Sequence, residues 1–300
     1  MSSASHPSML LTSLADIPLI QPGDNLAGII LTALKRADLQ LASGDILVLA
    51  QKIVSKAEGQ LVNLSTVIPS ARAEELAIQA EKDPRMVELI LRESREVLRV
   101  RPGSIIVEHR LGFVCASAGI DHSNVEGIRS ATTEVVTTNN VERVRSDDFS
   151  RPSPALEATA AEAATTNRNK AEDWMLLLPK DPDASDARLR QQLEDASGAR
   201  LGVLIIDSHG RAWRLGVVGA AIGFSGLPGL VDMRGQPDLF GYHLRITLIA
   251  AVDELAAAAS LVMGQAAEGT PIVHVRGFPY PLREGSLREL LRPRDQDMFR

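Results

Sequence analysis

The sequence has little of what most readily marks a function. Its single cysteine, Cys115, rules out a disulfide framework and fits a reducing compartment. A small buried residue in a strand is the plain reading of that thiol. Aromatic residues make up 3% of the chain, too few for the exposed stacking platforms of single-strand nucleic-acid binders. Lys and Arg number 32 against 38 Asp and Glu, and no basic block stands out, which disfavours binding to a phosphate backbone. The apolar runs stop well short of the roughly 20 residues a membrane helix needs. Met1–Met9 lacks the basic and apolar regions of a signal peptide. The expectation is a cytoplasmic protein with no membrane and no nucleic-acid partner.

What is present is an ordinary globular balance: 300 residues, 45% hydrophobic and 23% charged, enough for one large domain or two ordinary ones. With so few aromatics, the core must be built from Leu, Ile, Val and Ala. Leu26–Lys35 has helical spacing, and the turn Ser43-Gly44-Asp45 introduces a buried strand at Ile46–Ala50. Gln51–Gly59 reads as the end of that strand turning into a loop. Ser70–Glu81 reads as a helix. Asp83 caps a second, with Pro84 at its first position, that runs to about Val97. Ser104–His109 and Phe113–Ser117 form a hairpin around Arg110-Leu111-Gly112.

Residues 127–172, rich in Thr, Ala, Asn, Ser and Arg, read as an inserted flexible loop, with a helix over Leu156–Ala164 as the alternative. Order resumes with a short strand at Met175–Leu178 and a helix at Ser185–Ala196. Gly202–Ile206 is a buried strand ending at Asp207, and Ala212–Val218 pairs back on it. A strand at His243–Ala250, a helix at Val252–Met263 and a closing strand at Pro271–Val275 complete the chain. Hairpins and helices without regular alternation give an α+β class, with mixed sheets and flanking helices.

Two acids follow strands. Asp121 lies in Ala118-Gly119-Ile120-Asp121-His122-Ser123-Asn124, and Asp207 opens Asp207-Ser208-His209-Gly210-Arg211. A carboxylate at the end of a buried strand is rigidly aimed, which suits Mg²⁺ or Mn²⁺. Each also fits a plainer role: Asp207–Gly210 as a hairpin turn, Asp121 as an Asp-x-x-Asn turn or helix cap. His122 and His209 have no histidine four residues on and no cysteine partner, so zinc is disfavoured. The chain contains neither a Gly-x-Ser-x-Gly elbow nor a Gly-x-x-x-x-Gly-Lys-Ser/Thr loop. Lys52 and Lys56 are candidates for phosphate oxygens or ordinary surface lysines. Met263–Thr270 ends a helix with small residues, which offer backbone groups to a ligand or simply stop the helix.

Taken in order, several segments carry a resemblance. They are Leu19-Ile20-Gln21-Pro22-Gly23-Asp24, then Gly44–Gly59 with its Val54-Ser55-Lys56-Ala57-Glu58-Gly59, then Ala118–Val125, Asp207–Arg211, Arg214–Gly219 and Met263-Gly264-Gln265. From about Ile17 to Gly277 their order and spacing resemble the coenzyme F-420-0:L-glutamate (gamma-glutamyl) ligases. The resemblance implies a ligase domain over 10–277, a C-terminal tail over 278–300, no C-terminal flavin-binding domain, and an intertwined homodimer. It implies GTP-driven ligation of L-glutamate to the phospholactyl carboxylate of a deazaflavin acceptor through an acyl phosphate. It leaves open the addition of further gamma-linked glutamates, and a potassium ion beside two divalent cations, Mg²⁺ or Mn²⁺.

By the same resemblance Asp121 and Asp207 are ligands of the first divalent ion and carry catalysis through it, while Ser208 and Gln265 serve the second. Ile17, Pro18, Leu19, Ile20, Gln51, Lys56, Asn124, Met263, Gly264, Gln265, Ala266, Ala267, Glu268, Gly269 and Thr270 correspond to GTP-binding positions. Gln51 stands where other members have serine, and His122 replaces a smaller residue. An amide ligase with another carboxylate acceptor, and a nucleotide-binding protein without catalysis, are the competing readings.

Overall fold

In the computed structural model, residues 8–125 and 174–297 are described. The inserted loop expected over 127–172, with its helical alternative, lies outside them. The amino-terminal half runs β1 (Leu10–Ser13), α1 (Leu26–Arg36), β2 (Ile46–Ala50), α2 (Gln51–Ala57), β3 (Leu61–Asn63), α3 (Ala71–Ala80), α4 (Pro84–Arg92), β4 (Ser94–Arg101), β5 (Ser104–His109) and β6 (Val114–Ala116). The other half runs β7 (Trp174–Leu176), α5 (Pro182–Ser197), β8 (Gly202–Arg211), β9 (Arg214–Ser225), β10 (Val231–Asp232), β11 (Leu248–Ile249), α6 (Ala251–Met263) and β12 (Ile272–Arg276). Among the described residues no helix is long and apolar enough to cross a membrane.

The main sheet has five strands in the order β1-β12-β2-β8-β9. Only β2 and β8 are parallel; the other neighbours are antiparallel. Strand periodicity sends alternate side chains to opposite faces. Leu47, Leu49, Val203, Ile205 and Ile272 pack on one face with α1 and α5. Ile46, Val48, Leu204, Ile206, Val273 and Val275 pack on the other with α6. Both faces of β2 and β8 are therefore covered, which is why those strands read as continuous apolar runs. A third core gathers α3, α4, β5 and β6 around Ile90, Ile105 and Val107. It supports the three-stranded sheet β4-β5-β6, and β3 pairs with β7 beside it. The arrangement is a mixture of several sheets with flanking helices, as the sequence led us to expect.

A buried polar anchor fixes β2 against β12 at the end of β2 opposite Ala50. Asp45, 2% exposed, meets His274 Nε2 at 2.8 Å and Arg276 Nη2 at 2.6 Å. Burial alone would raise the Asp45 carboxyl, but hydrogen bonds from Arg276 and His274 outweigh it and hold the pKa below the usual range.

Four local expectations need correction. Gln51–Ala57 is a helix, not a strand end, and it buries Gln51, Ile53, Val54 and Ser55. The helix from Pro84 stops at Arg92, because Ser94–Arg101 pairs with β5 as a strand interrupted by two register shifts. The strand from Gly202 does not end at Asp207. It continues to Arg211, since Asp207–Arg211 keep antiparallel partners on β9. His243–Ala250 is not one strand. Only Leu248–Ile249 pair, with β10, and His243 makes an isolated bridge to Pro237.

Candidate active site

Strand direction gathers the candidate residues at one end of the main sheet. Pairing of β2 with β8 ends at Ala50 and Ile206. Beyond that point β2 turns into α2 at Gln51, while β8 goes on through Asp207 and Ser208 with β9 alone beside it. Carboxyl ends of parallel strands are where open sheets form ligand crevices. The antiparallel neighbours deliver chain to the same end. The segment leaving β1 carries Ile17–Ile20, and the segment entering β12 carries Gly264–Thr270. From the smaller sheet, β6 leads into Ser117, Ala118 and Gly119, all with positive φ (50°, 53° and 65°). That left-handed turn is costly for Ser and Ala and aims Asp121 back toward Gln51. Main-chain bonds in both directions between Asp121 and Leu176, each 2.9 Å, hold it there.

A cavity of about 770 Å³ results. Every residue singled out as metal ligand or nucleotide contact lines it: Ile17–Ile20, Gln51, Lys56, Asp121, Asn124, Asp207, Ser208 and Met263–Thr270. Lys52, Cys115, Ser123 and His209 line it as well.

Asp121 sits in a cradle of donors. Gln51 Nε2 donates to its Oδ2 at 2.5 Å, and Lys52 Nζ lies 3.4 Å from its Oδ1. Lys52 is itself anchored on Ser123, donating to the main-chain oxygen at 3.1 Å and to Oγ at 2.9 Å. Burial raises the Asp121 carboxyl above its ordinary range. Lys52 opposes that rise, and the negative charge of Asp207 adds to it.

On the β8 side, His209 shares a strand face with Asp207 and sets Nε2 3.1 Å from its Oδ2, outside hydrogen-bonding alignment. Phe113 leans on His209 at 5.3 Å between ring centres, and His109 stacks on Phe113 at 5.2 Å. Cys115 is buried in β6, as its plain reading held. Burial, aided by Asp207, pushes its thiol up to about 12, so it is not a thiolate nucleophile.

The far wall is built from loops. Lys56 Nζ donates to the main-chain oxygen of Asn124 at 2.7 Å, and Asn124 Nδ2 donates to Ala266 O at 3.2 Å. Thr270 Oγ1 donates to Met263 O at 2.9 Å, and Glu268 accepts from Ala266 N–H at 2.8 Å. Gly264 (φ +76°) is required here, because a Cβ would fall 2.2 Å from Glu268 Cδ in a conformation L side chains avoid. Ser208 Oγ donates to Gln265 Oε1 at 2.8 Å, closing β8 onto this loop.

Two juxtaposed carboxylates, a hydroxyl and an amide oxygen form an all-oxygen donor set. Among the described residues no group of three or more His, Cys, Asp or Glu side chains gathers as a cage. Such a sparse set suits a cation like Mg²⁺ or Mn²⁺, which keeps waters or substrate phosphates in its shell. The convergence of Asp121, Asp207, Ser208 and Gln265 on one cavity is the observation that favours a cation there.

Sequence reasoning missed Ser55, whose hydroxyl donates to Gln51 Oε1 at 2.8 Å, and the pairing of His209 with Asp207. The second was discoverable, because residues two apart in a strand share a face.

A family model described as F420-0:Gamma-glutamyl ligase matches residues 15–134 and 129–277. Coenzyme F420:L-glutamate ligase of Methanothermobacter thermautotrophicus is 41% identical over 292 residues, covering 97% of this chain and 98% of that protein. The protein of the same name from Methanopyrus kandleri is 40% identical over 285 residues, covering 94% and 93%. That of Methanocaldococcus jannaschii is 36% identical over 288 residues, covering 95% and 94%.

Proposed function

The chain belongs to the F420-0:gamma-glutamyl ligase family of amide-forming ligases, and we propose that it attaches L-glutamate to the phospholactyl carboxylate of coenzyme F-420-0 at the expense of GTP. A carboxylate is a poor electrophile. Its oxygen attacks the γ-phosphorus of GTP, giving an acyl phosphate and GDP. The free amine of glutamate then attacks the acyl carbon, the C–O bond to phosphate breaks, and inorganic phosphate leaves with an amide formed.

The chain's own residues bind and orient. Ile17–Ile20 supply an apolar wall for the nucleotide. Met263–Thr270 offer main-chain groups to its phosphates, and Lys52 and Lys56 meet phosphate charge from the α2 side. Asp121 and Asp207 would hold one divalent ion and Ser208 and Gln265 a second. These ions, when bound, supply neutralisation of phosphate charge. The observation that supports this reading is the convergence on one cavity of segments as far apart in sequence as Ile17, Asp121, Asp207 and Gln265.

We further read the chain as a homodimer. Trp213 and Leu215, 91% and 98% exposed at the tip of the β8–β9 hairpin, are apolar surface of the kind a second copy covers.

The test is a mass-spectrometric assay with the deazaflavin acceptor, glutamate, GTP and Mg²⁺ or Mn²⁺, with and without chelator. A metal-dependent gain of one or more glutamyl units is expected and gives the number added. No gain alongside GTP binding moves the reading to another carboxylate acceptor.

A further inference from the structure

The geometry points to Gln51 as a positioning residue for Asp121, itself set by Ser55, rather than as a nucleotide contact. The inference rests on the reading of Asp121 as a metal ligand and adds to it the device that aims that ligand.

Gln51 is the first residue of α2, and Ser55 lies one turn on, on the same face. Both are buried, Gln51 at 1% and Ser55 at 0% exposure, so Gln51 has almost no free surface for a nucleotide even though it forms part of the wall. A side-chain amide has one donating and one accepting end, and an ionised carboxylate only accepts. Donation from Gln51 Nε2 to Asp121 Oδ2 therefore needs the amide oxygen turned the other way. There it meets the Ser55 hydroxyl, which donates to Oε1 at 2.8 Å. Flipping the amide would set oxygen against oxygen at Asp121.

The chain Ser55–Gln51–Asp121 is thus polarised in one direction, with each donor matched. With Oδ2 committed to Gln51, Oδ1 is the oxygen left to face Lys52, which lines the cavity. The plane of the carboxylate is fixed from α2, an element bonded to the end of β2, although Asp121 belongs to a turn 70 residues away in sequence. Partners behind a metal ligand that fix its orientation typically matter by about 10–100-fold in metal affinity.

The experiment is titration of the nucleotide-free, full-length protein with Mn²⁺, reading free Mn²⁺ by electron paramagnetic resonance, with thermal melts as a folding control. Asp121→Asn is expected to remove the tight site. Gln51→Leu, similar in size but unable to donate, is expected to weaken Mn²⁺ binding by about 10–100-fold. Ser55→Ala should shift affinity the same way by less, and should add nothing in the Gln51→Leu background. Gln51→Asn, which keeps the amide but shortens its reach, serves if Gln51→Leu does not fold.

Loss of the site in Asp121→Asn with wild-type affinity in the folded Gln51 variant overturns the positioning role alone. A full, additive Ser55→Ala penalty in the Gln51→Leu background overturns the relay. Wild-type Mn²⁺ affinity in Asp121→Asn overturns the metal reading beneath both.

Discussion

Ser208 and Gln265 meet hydroxyl to amide oxygen at 2.8 Å, joining the free edge of β8 to the loop after α6. Gln265 is held from behind as well, its Nε2 lying 3.3 Å from Ser260 Oγ. Its oxygen is therefore presented toward Ser208. If a divalent ion sits there, a charged oxygen should hold it better than a neutral one. Gln265→Glu is expected to tighten Mn²⁺ binding at the weaker of two sites by about tenfold, because ligand charge tunes affinity for such ions. Calorimetric titration checks this, and an unchanged isotherm removes Gln265 from the ligand set.

Asp207 offers the sharper test of catalysis. It lies just past the last β2–β8 pair, so its side chain serves the cavity and not the packed core. Asp207→Ala is expected to abolish glutamyl transfer while shifting the melting temperature by no more than a few degrees. The paired readouts are the mass-spectrometric assay and a thermal melt. Wild-type turnover would remove Asp207 from the site.

Acid sensitivity should come in part from His109. Burial, with the charges of Arg110 and Arg95, lowers it to about 4. The unfolded chain therefore takes up this proton first as pH falls. The stabilising contribution is complete above about pH 6.5 and is lost progressively down to about pH 4. His109→Phe, which keeps an aromatic stack on Phe113, removes this dependence. Between pH 7 and 5 the wild type should lose about 2 kcal/mol more than the variant. Urea midpoints at the two pH values measure it, and equal losses refute it.

These contrasts show which parts of the chain could be read in advance. Ile46–Ala50 and Gly202–Ile206 were legible because a strand covered on both faces is apolar throughout. Gln51–Ala57 was not, since Ile53-Val54 is β-branched and looks like strand until its helical face is seen against β2. The polar tail Asp207–Arg211 hid as a turn because its strand character comes from pairing with β9, not from apolar residues. His243–Ala250 alternates like a strand, yet only Leu248–Ile249 pair in a ladder; His243, Leu244 and Thr247 make isolated main-chain contacts with the segment 233–237. The site residues were legible as an ordered set of motifs. Their mutual contacts were not, because Gln51 and Asp121, or Ser208 and Gln265, meet only through the topology.

Gly219 ties packing to the site. It pairs with Ser208, and α6 approaches it so closely that a Cβ would lie 2.5 Å from Ala256 O and 2.6 Å from Ser260 Cβ. The first of these is backbone and cannot turn aside. Gly219→Ala is expected to cost about 1–3 kcal/mol by overpacking. It should also lower turnover, because α6 carries Ser260, which orients Gln265. Chemical denaturation gives the first effect and the ligase assay the second. Full stability in the variant would mean that α6 can move away from β9 freely.

The hairpin tip decides the oligomeric reading. Leu215 in β9 is 98% exposed and Trp213 in the turn before it 91%, on a hairpin that runs past the end of the parallel pair. Isolated apolar residues on a surface are common, but two large ones at one projecting tip, with exposed Val217 nearby in the chain, make a patch. A carboxylate placed in such a patch is nearly neutral for a monomer and strongly unfavourable inside a subunit contact, where it would be buried without a partner. Leu215→Asp is therefore expected to halve the mass seen by light scattering while leaving the melting curve of the monomer cooperative. A wild-type chain that is monomeric at micromolar concentration would refute the dimer outright. A dimer untouched by Leu215→Asp would move the contact to another face.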